Sequence, residues 1–245
     1  MKALILAGGR GKRLEAHSAE RNKCMMAFAG KPLIEWSLEN CVRISPDEIV
    51  IVVGYLAEQI INHYGNAYQG IRIRYAIQRE QRGLVHAIET AAPFLGSSDF
   101  MLFLADEILL DPHHAAMVER FRQGGIFALC GLTIPADPQA VRNTYAVFED
   151  QGGRILRLVE KPRRAISQYQ GTGNCLFSNR ILEYIEYTPI SQARNEKELP
   201  DLIQCAIDDG HIVQSFLVGG RYININTVED VSLAEEAIGA RAQAV

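Results

Sequence analysis

The sequence lacks a hydrophobic run of the length that a membrane span or a secretion signal requires. Its first apolar segment, residues 3–7, is followed at once by glycines and basic residues and is shorter than the apolar core of a signal peptide. No other apolar stretch approaches the roughly 20 residues of a transmembrane helix. We therefore expect a cytoplasmic protein with no membrane partner.

The chain also lacks a marked excess of positive charge. It has 25 Lys and Arg residues against 29 Asp and Glu residues, which gives a formal net charge of −4. A protein that binds a nucleic-acid backbone needs a basic surface, so this balance argues against a nucleic-acid partner. Small anionic ligands stay possible, because a few local cations are enough to hold them.

Cysteine is scarce and irregularly placed. The five cysteines form no C-x-x-C pair, and their number is odd. This pattern is typical neither of a disulfide framework nor of a cysteine-based metal site. We expect reduced thiols at Cys24, Cys41, Cys130, Cys175 and Cys205.

The sequence does contain a regular alternation of two hydrophobic patterns. Short continuous apolar runs, which predict buried strands, alternate with segments whose apolar residues recur at helical spacing. The alternation predicts an α/β fold with three layers, Rossmann-like, in which helices cover both faces of a mixed, mostly parallel sheet. The predicted strands are Lys2–Ala7, 48–53, Ile71–Ile77, 100–105 and 126–133, the predicted helices are 34–42, Ala57–Tyr64, 84–92, 112–123, 199–209 and 228–240, and residues 145–159 predict a β-hairpin.

A glycine-rich loop, LAGGRGKRL at residues 6–14, follows the first predicted strand. Glycines at a strand end let backbone N–H groups approach a polyphosphate closely, and Lys12 and Arg13 would add cationic donors. The spacing matches neither a P-loop nor the dinucleotide-binding motif. A tight strand-to-helix turn without a ligand is the alternative.

Lys23 follows the loop by ten residues, and a Gly-Lys-Pro segment follows at residues 30–32. In this spacing the three pieces resemble the sugar-1-phosphate nucleotidyltransferase family, in particular its thymidylyl- and uridylyltransferase branch. The resemblance implies a GT-A-like domain and implies that Arg13 and Lys23 are catalytic, holding the triphosphate and stabilising charge at the α-phosphorus. It implies a nucleotide-binding loop formed by Leu6, Ala7, Gly8, Gly9, Gly11 and Lys12.

Gln78 and Gly83 lie between a predicted strand and a predicted helix, where a bound nucleotide would rest. The glutamine amide offers a donor and an acceptor to a base edge. The family motif has Gln and Gly at this spacing, so the resemblance implies base recognition. It favours UTP or dTTP, with CTP and ATP left open. His86 is expected to be a packing or surface residue.

Asp106 and Glu107 end the strand predicted at 100–105. Hard oxygen ligands of this kind suit Mg²⁺, and an ordinary strand-ending aspartate is the alternative. The resemblance implies Asp106 as the first metal ligand. The second family ligand is an aspartate in a late segment, and Asn224 stands in its place, so we expect a Mg²⁺ site with one charge fewer.

The resemblance also implies a small β-rich lobe that binds the sugar phosphate. Lys161 of a Glu-Lys-Pro segment would grip the phosphate, and Glu160 would contact the sugar hydroxyls. Tyr145 opens the lobe, and a Thr-Gly-Asn segment would line the sugar pocket. The acidic and basic run at 194–201 is expected to be a solvated helix start. The predicted substrate-binding residues are Tyr145, Glu160, Lys161, Thr172, Gly173 and Asn174.

We thus expect one domain over residues 1–245, with a nucleotide-binding part at about 1–135, a sugar-phosphate part at about 136–225 and a C-terminal helix at 228–240. The expected substrates are an NTP and a sugar 1-phosphate, which react by in-line displacement to an NDP-sugar and pyrophosphate. A homo-oligomer is compatible with the sequence. A cytidylyltransferase for a non-sugar substrate stays open, as does a nucleotide-sugar-binding regulatory protein that has lost turnover through Asn224.

Overall fold

The computed structural model describes residues 1–11 and 20–243, and in the last helix it describes side chains up to residue 239. Strands and helices alternate through most of the chain. The strands are β1 (Lys2–Ala7), β2 (Ala27–Phe28), β3 (Lys31–Pro32), β4 (Ile49–Val53), β5 (Ala67–Tyr68), β6 (Ile71–Ile77), β7 (Phe100–Leu104), β8 (Glu107–Leu109), β9 (Ala128–Thr133), β10 (Tyr145–Glu149), β11 (Ile155–Glu160), β12 (Gln170–Phe177), β13 (Ile190–Ser191), β14 (Glu196–Lys197), β15 (Val213–Leu217) and β16 (Tyr222–Asn224).

The main helices follow the predicted helical segments closely. The helix predicted at 84–92 continues to Leu95, although Pro93 within it has no N–H to donate to the Glu89 carbonyl. The helices are α1 (Leu33–Arg43), α2 (Ala57–Tyr64), α3 (Leu84–Leu95), α4 (His114–Arg122), α5 (Leu199–Asp208) and α6 (Val228–Gln243), and 3₁₀ turns span Lys23–Met25, Pro138–Asn143 and Asn179–Tyr184.

The central sheet has eight strands within the described ranges, in the order β15-β9-β12-β7-β1-β4-β6-β5. β7, β1, β4 and β6 run parallel to one another, and β15 runs parallel to β9. β12 is antiparallel to both of its neighbours, and β5 is antiparallel to β6. The prediction of a mixed, mainly parallel α/β sheet is therefore confirmed.

Helices cover both faces of this sheet. Leu4 and Ile5 on β1 show the reason: successive side chains of a strand point to opposite faces, and both are fully buried. Leu4 joins a hydrophobic cluster that includes residues of α3 and α5, and Ile5 joins a second cluster that includes residues of α1 and α4. Burial of each large aliphatic side chain contributes about 1.5–3 kcal/mol to the free energy of folding, relative to leaving it exposed.

The predicted hairpin is confirmed, and the last helix begins with a capping box. β10 and β11 form an antiparallel hairpin, and Gly153 in its turn has a φ of 75°, which favours glycine. Thr227 and Asp230 form a capping box at the start of α6: Asp230 Oδ2 accepts from the Thr227 amide at 2.8 Å, and Thr227 Oγ1 accepts from the Asp230 amide at 3.3 Å.

Candidate active site

The ends of two neighbouring parallel strands lie side by side at one edge of the sheet. β1 and β7 are paired, and the Ala105 amide donates to the Leu6 carbonyl at 3.1 Å. The glycine-rich loop follows β1, and Asp106 follows β7. Both segments therefore open into the same crevice beyond the carboxyl ends of the strands, where ligands of such sheets bind.

The glycines of the loop pack against two other predicted site residues. A Cβ on Gly8 would lie 2.6 Å from Oε1 of Gln78, and a Cβ on Gly11, whose φ is 64°, would lie 2.9 Å from Cβ of Lys23. Neither position has room for a larger residue. Gly9 is exposed and has open space beside it.

Of the remaining predicted loop residues, two lie on β1 and two lie outside the described part of the chain. Leu6 is half-buried and Ala7 is buried on β1. Lys12 and Arg13 lie outside the described residues. Their contacts with a triphosphate therefore stay predictions.

Lys23 is buried, and its ammonium group lies 2.7 Å from Oδ2 of Asp106. The neighbouring Asn22 fixes the turn that carries the lysine. Its Oδ1 accepts from the Cys24 amide at 2.8 Å, and its Nδ2 donates to the Tyr55 carbonyl at 2.7 Å. A rigid turn thus directs a buried cation to the carboxylate at the end of β7.

Gln78 is buried beside the N-terminus of α3. Its amide nitrogen lies 3.3 Å from the Gly83 carbonyl and 3.0 Å from Nδ1 of His86, a residue that the sequence prediction left without a site role. Gly83 has a φ of 91°, and a Cβ there would lie 2.9 Å from Cβ of Glu196. Gln78 and Gly83 are therefore brought together, next to the glycine loop.

The two predicted metal ligands lie on adjoining segments. β16 pairs with β8, which places Asn224 opposite Glu107, the residue after Asp106. The Ile225 amide donates to the Asp106 carbonyl at 2.9 Å. Oδ1 of Asn224 accepts from the Asn226 amide group at 2.8 Å and keeps a second lone pair. Within the described part of the chain, no group of three or more His, Cys, Asp or Glu side chains could hold a metal. A carboxylate and an amide oxygen fit Mg²⁺, which takes one or two protein ligands and completes its shell with water and phosphate oxygens.

Glu107 lies at the centre of a buried hydrogen-bond network. Its carboxyl group accepts from the Gly173 amide at 3.0 Å, from Nδ2 of Asn174 at 2.9 Å and from the Tyr222 hydroxyl at 2.6 Å. Burial raises the pKa of Glu107 to about 8, and the Tyr222 and Gly173 hydrogen bonds oppose this rise. Oδ1 of Asn174 also accepts a hydrogen bond from Nε2 of His114 at 2.9 Å. Its side chain is therefore directed into this network.

A cavity of about 200 Å³ lies between the hairpin, β12 and the start of α5. All the predicted substrate-binding residues except Asn174 line it, and so does Asn224. The Tyr145 hydroxyl donates to the Thr172 carbonyl at 3.0 Å, and the Thr172 hydroxyl donates to the Gly131 carbonyl at 2.8 Å. Their polar atoms thus hold the cavity wall in shape. The lining includes Tyr145, Glu160, Lys161, Thr172, Gly173 and Asn224.

Gly173 is required by the packing of the protein itself. A Cβ there would lie 2.3 Å from Cγ of Leu104 and 3.1 Å from Oε1 of Glu107. Without a side chain, the strand comes close enough for the Gly173 amide to reach the Glu107 carboxyl group. Close approach of a sugar ring to Gly173 stays a prediction.

Three charged residues of the cavity were missed by the sequence prediction. Arg194 lies 3.5 Å from Oε1 of Glu160 and 3.3 Å from Oε1 of Glu198, and Glu196 also lines the cavity. The expectation of a solvated helix start holds for Arg194 and Asn195, which are exposed, but fails for Glu198, which is only 7% exposed. The spacing offered no clue, because the segment from Arg194 to Glu198 contains the strand β14 and precedes the helix, so the helical i, i+4 rule does not apply to it.

Glu160 is the carboxyl group around which these charges gather. Burial, followed by the nearby Glu198, raises the pKa of Glu160 to about 7. Lys161 at 3.7 Å and Arg194 oppose the rise. The cavity thus combines two cations that can hold a phosphate with carboxyl groups that can bind hydroxyls.

None of the helices in the described ranges is both long enough and apolar enough to cross a membrane. α6, with 16 residues, carries acidic residues in its first turn.

The sequence matches the nucleotidyl transferase family over residues 2–231. It is 32% identical over 238 residues to a UTP–glucose-1-phosphate uridylyltransferase of Haloferax volcanii, covering 97% of this chain and 96% of that protein. It is 31% identical over 233 residues to a glucose-1-phosphate thymidylyltransferase of Streptomyces griseus, covering 94% of this chain and 64% of the relative.

Solved structures agree with this match. A UDP-glucose pyrophosphorylase in complex with UDP-glucose has a TM-score of 0.87 at 20% identity, covering 98% of both chains. A UDP-glucose pyrophosphorylase of Acinetobacter baumannii has a TM-score of 0.85 at 20% identity, covering 98% of this chain and 93% of the other. At this identity the structural likeness establishes the Rossmann-like fold. Since the family match extends over nearly the whole chain, this protein belongs to the nucleotidyl transferase family.

Proposed function

We propose that this protein transfers a nucleoside monophosphate from UTP or dTTP to a sugar 1-phosphate, giving an NDP-sugar and pyrophosphate. The relatives named above are a uridylyltransferase and a thymidylyltransferase for glucose 1-phosphate, which supports this substrate class. We place the reaction in the cytoplasm, where the free cysteines stay reduced.

The observation that carries the proposal is the position of Asn224 between the cavity and the crevice beyond β1 and β7. It lines the cavity that holds Lys161 and Arg194, and the next residue, Ile225, is hydrogen-bonded to the main chain of Asp106. The cavity therefore adjoins the crevice that contains the glycine loop and Lys23. Two phosphorylated substrates could bind side by side in this arrangement.

Different residues bind the two substrates. Lys161 and Arg194 hold the phosphate of the sugar, and Glu160 binds a hydroxyl group of the ring. Gln78 contacts the base, and Lys23, together with Arg13, neutralises charge on the triphosphate.

The reaction needs no protein nucleophile. An oxygen of the sugar phosphate, already ionised at neutral pH, attacks the α-phosphorus of the NTP. The bond from that phosphorus to the bridging oxygen breaks, and pyrophosphate leaves with its electron pair. The role of the protein is to align the two phosphates and to offset their mutual repulsion.

We further propose Mg²⁺ as the metal, held by Asp106 and Asn224. When bound, it would supply positive charge to the triphosphate. Lys23 now lies on the same carboxylate, so the free protein already compensates the charge of Asp106 with its own cation. Asn224 in place of a carboxylate is also what a binding protein without turnover would show.

A pyrophosphate-release screen of the purified protein tests the proposal. UTP, dTTP, CTP, ATP and GTP are each combined with glucose, galactose, mannose and N-acetylglucosamine 1-phosphates and with choline phosphate, in the presence of Mg²⁺. We expect the highest rates with UTP or dTTP and a sugar 1-phosphate, and loss of these rates in Lys23→Met. Release with choline phosphate alone would favour a cytidylyltransferase-type reaction. NDP-sugar binding without any release would favour a regulatory protein.

A further inference from the structure

The amide group of Gln78 has a defined orientation. The Gly83 carbonyl, 3.3 Å away, can only accept a hydrogen bond, so the amide nitrogen must face it. Nδ1 of His86 lies 3.0 Å from the same nitrogen. Two donors would repel at this distance, so Nδ1 is the acceptor and the ring carries its hydrogen on Nε2. Both amide hydrogens of Gln78 are thereby used within the protein.

The oxygen of the same amide faces the nucleotide loop. Oε1 of Gln78 lies on the side of Gly8, where a Cβ would approach it to 2.6 Å. Among the described residues, none donates a hydrogen bond to Oε1. The amide therefore presents an acceptor, and no donor, on the side of the predicted nucleotide-binding loop.

His86 is well placed to keep this orientation. It lies in the first turns of α3 between Val85 and Ala87, which are both buried in the core. Its carbonyl accepts from the Thr90 hydroxyl at 2.8 Å. The helix therefore fixes the position of the ring, and the ring fixes the amide.

We propose that His86 is a positioning residue for base recognition, which holds the Gln78 amide so that its oxygen faces the base. The inference rests on the proposed function, in which Gln78 contacts the base. An acceptor at this place binds the imide N–H of uracil or thymine. Cytosine has an acceptor at the same ring atom, so the two acceptors repel.

His86→Leu tests this directly, because leucine fills space but accepts no hydrogen bond. We expect the ratio of kcat/KM for UTP over CTP to fall about 3- to 10-fold, the scale of one neutral hydrogen bond. The change should lie mainly in KM for UTP, while KM for the sugar 1-phosphate stays unchanged. His86→Asn keeps an acceptor near the position of Nδ1 and should restore the ratio. Glu89→Ala, on the exposed side of the same helix, is the matched control.

A chemical probe tests the same hydrogen bond from the ligand side. In 3-methyl-UTP a methyl group replaces the imide hydrogen. The loss of kcat/KM caused by this methyl group should be smaller in His86→Leu than in wild type. Gln78→Ala and the double variant of Gln78 and His86 should not reduce this loss below its value in His86→Leu. If His86→Leu keeps both the UTP/CTP ratio and the full methyl penalty, or if His86→Asn behaves like His86→Leu, the proposal is wrong.

The design also separates this inference from the proposed function. If the wild type releases no pyrophosphate with any pair of substrates, the proposed function fails, and the His86 inference is decided by calorimetry. In that case the binding affinities for UTP, CTP and 3-methyl-UTP are measured in wild type, His86→Leu and His86→Asn. Should His86→Leu fail to fold, His86→Gln, which displaces the acceptor, is compared with His86→Asn. Equal UTP/CTP ratios in these two variants would overturn the proposal. A lower ratio in His86→Gln would support it.

Discussion

The ammonium group of Lys23 lies 2.7 Å from Oδ2 of Asp106, which joins the segment after the glycine loop to the end of β7. The lysine side chain is 7% exposed and the aspartate side chain 29% exposed. A buried cation and a partly exposed carboxylate therefore meet where the NTP is expected to bind. Each is positioned for a further charged partner: the carboxylate for a metal ion and the ammonium group for a phosphate.

Lys23→Met should lower kcat/KM for pyrophosphate release by about 10²-fold or more, because one preorganised charge near the reacting phosphorus is lost. Steady-state kinetics with saturating sugar 1-phosphate measures the effect. Lys31→Met is the control, since Lys31 pairs with Glu39 at 2.6 Å and lies over the Trp36 ring, on a different surface. Equal rates for the two variants would contradict the assigned role of Lys23.

The charge of the metal ligands should set the Mg²⁺ requirement. Asn224→Asp adds a carboxylate and should lower the Mg²⁺ concentration for half-maximal activity, whereas Asp106→Asn should raise it. Electron paramagnetic resonance of Mn²⁺ without nucleotide gives a second readout, and removal of metal with EDTA should abolish turnover. Unchanged metal titrations in both variants would show that these residues do not hold the ion.

Arg194→Ala should raise KM for the sugar 1-phosphate about 10- to 100-fold, because a hydrogen-bonded contact between charged groups is lost. KM for the NTP should stay near its wild-type value. Arg180→Ala provides the comparison, because Arg180 is 60% exposed and pairs with Glu183 on the surface. If KM for the NTP rose instead, Arg194 would be assigned to NTP binding.

Glu160→Gln should change how folding stability depends on pH. The pKa of Glu160 is 4.5 in the ordinary case and about 7 in the folded protein, so the folded state holds the proton more tightly. Wild type thus gains stability from this group below pH 4.5 and loses it as pH rises through 7, by at most about 3 kcal/mol. The variant carries no such proton. Relative to wild type, it should therefore be more stable at pH 8 than at pH 5.

Urea unfolding at these two pH values measures the difference. Glu183→Gln is the control, because the Glu183 side chain is 66% exposed. A variant-minus-wild-type stability that is the same at pH 5 and pH 8 would argue against a raised pKa of Glu160.

Gly173→Ala should destabilise the protein by roughly 1–3 kcal/mol, since its Cβ would overlap Leu104. Chemical denaturation gives the free energy of unfolding. Gly9→Ala is the matched variant, because its Cβ would meet nothing within 4 Å, and its stability should stay near wild type. If Gly173→Ala were equally harmless, the close packing of β12 on β7 would not be as described.

Much of the fold follows from local sequence pattern. A buried parallel strand needs an unbroken apolar run, so β1 and β4 stand out from the sequence, and helical spacing marks the main helices. β15 and β16 are among the strands that were not predicted. β15 is only partly buried, with polar Gln214 and Ser215 in its interior, and β16 has three residues. Their pairing with β9 and β8 depends on partners far away in the chain.

The candidate site shows the same division. Motif spacing predicted residues on both sides of the candidate site, from Gln78 to Lys161. It did not point to His86, whose proposed role rests on one contact with the Gln78 amide, or to Arg194, whose proposed role rests on its distance to Glu160. Residue type and spacing do not encode such contacts.

The sequence by itself determined the alternation of strands and helices, the glycine loop, the acidic end of β7 and the family to which these motifs point. These features are local, because hydrophobic periodicity and glycine conformation act over a few residues. Only the tertiary structure decided that Lys23 meets Asp106, that Glu107 is enclosed by Gly173 and Tyr222, and that Arg194 enters the cavity. These contacts join residues far apart in the chain, and they form because the parallel sheet brings the ends of its strands to one edge.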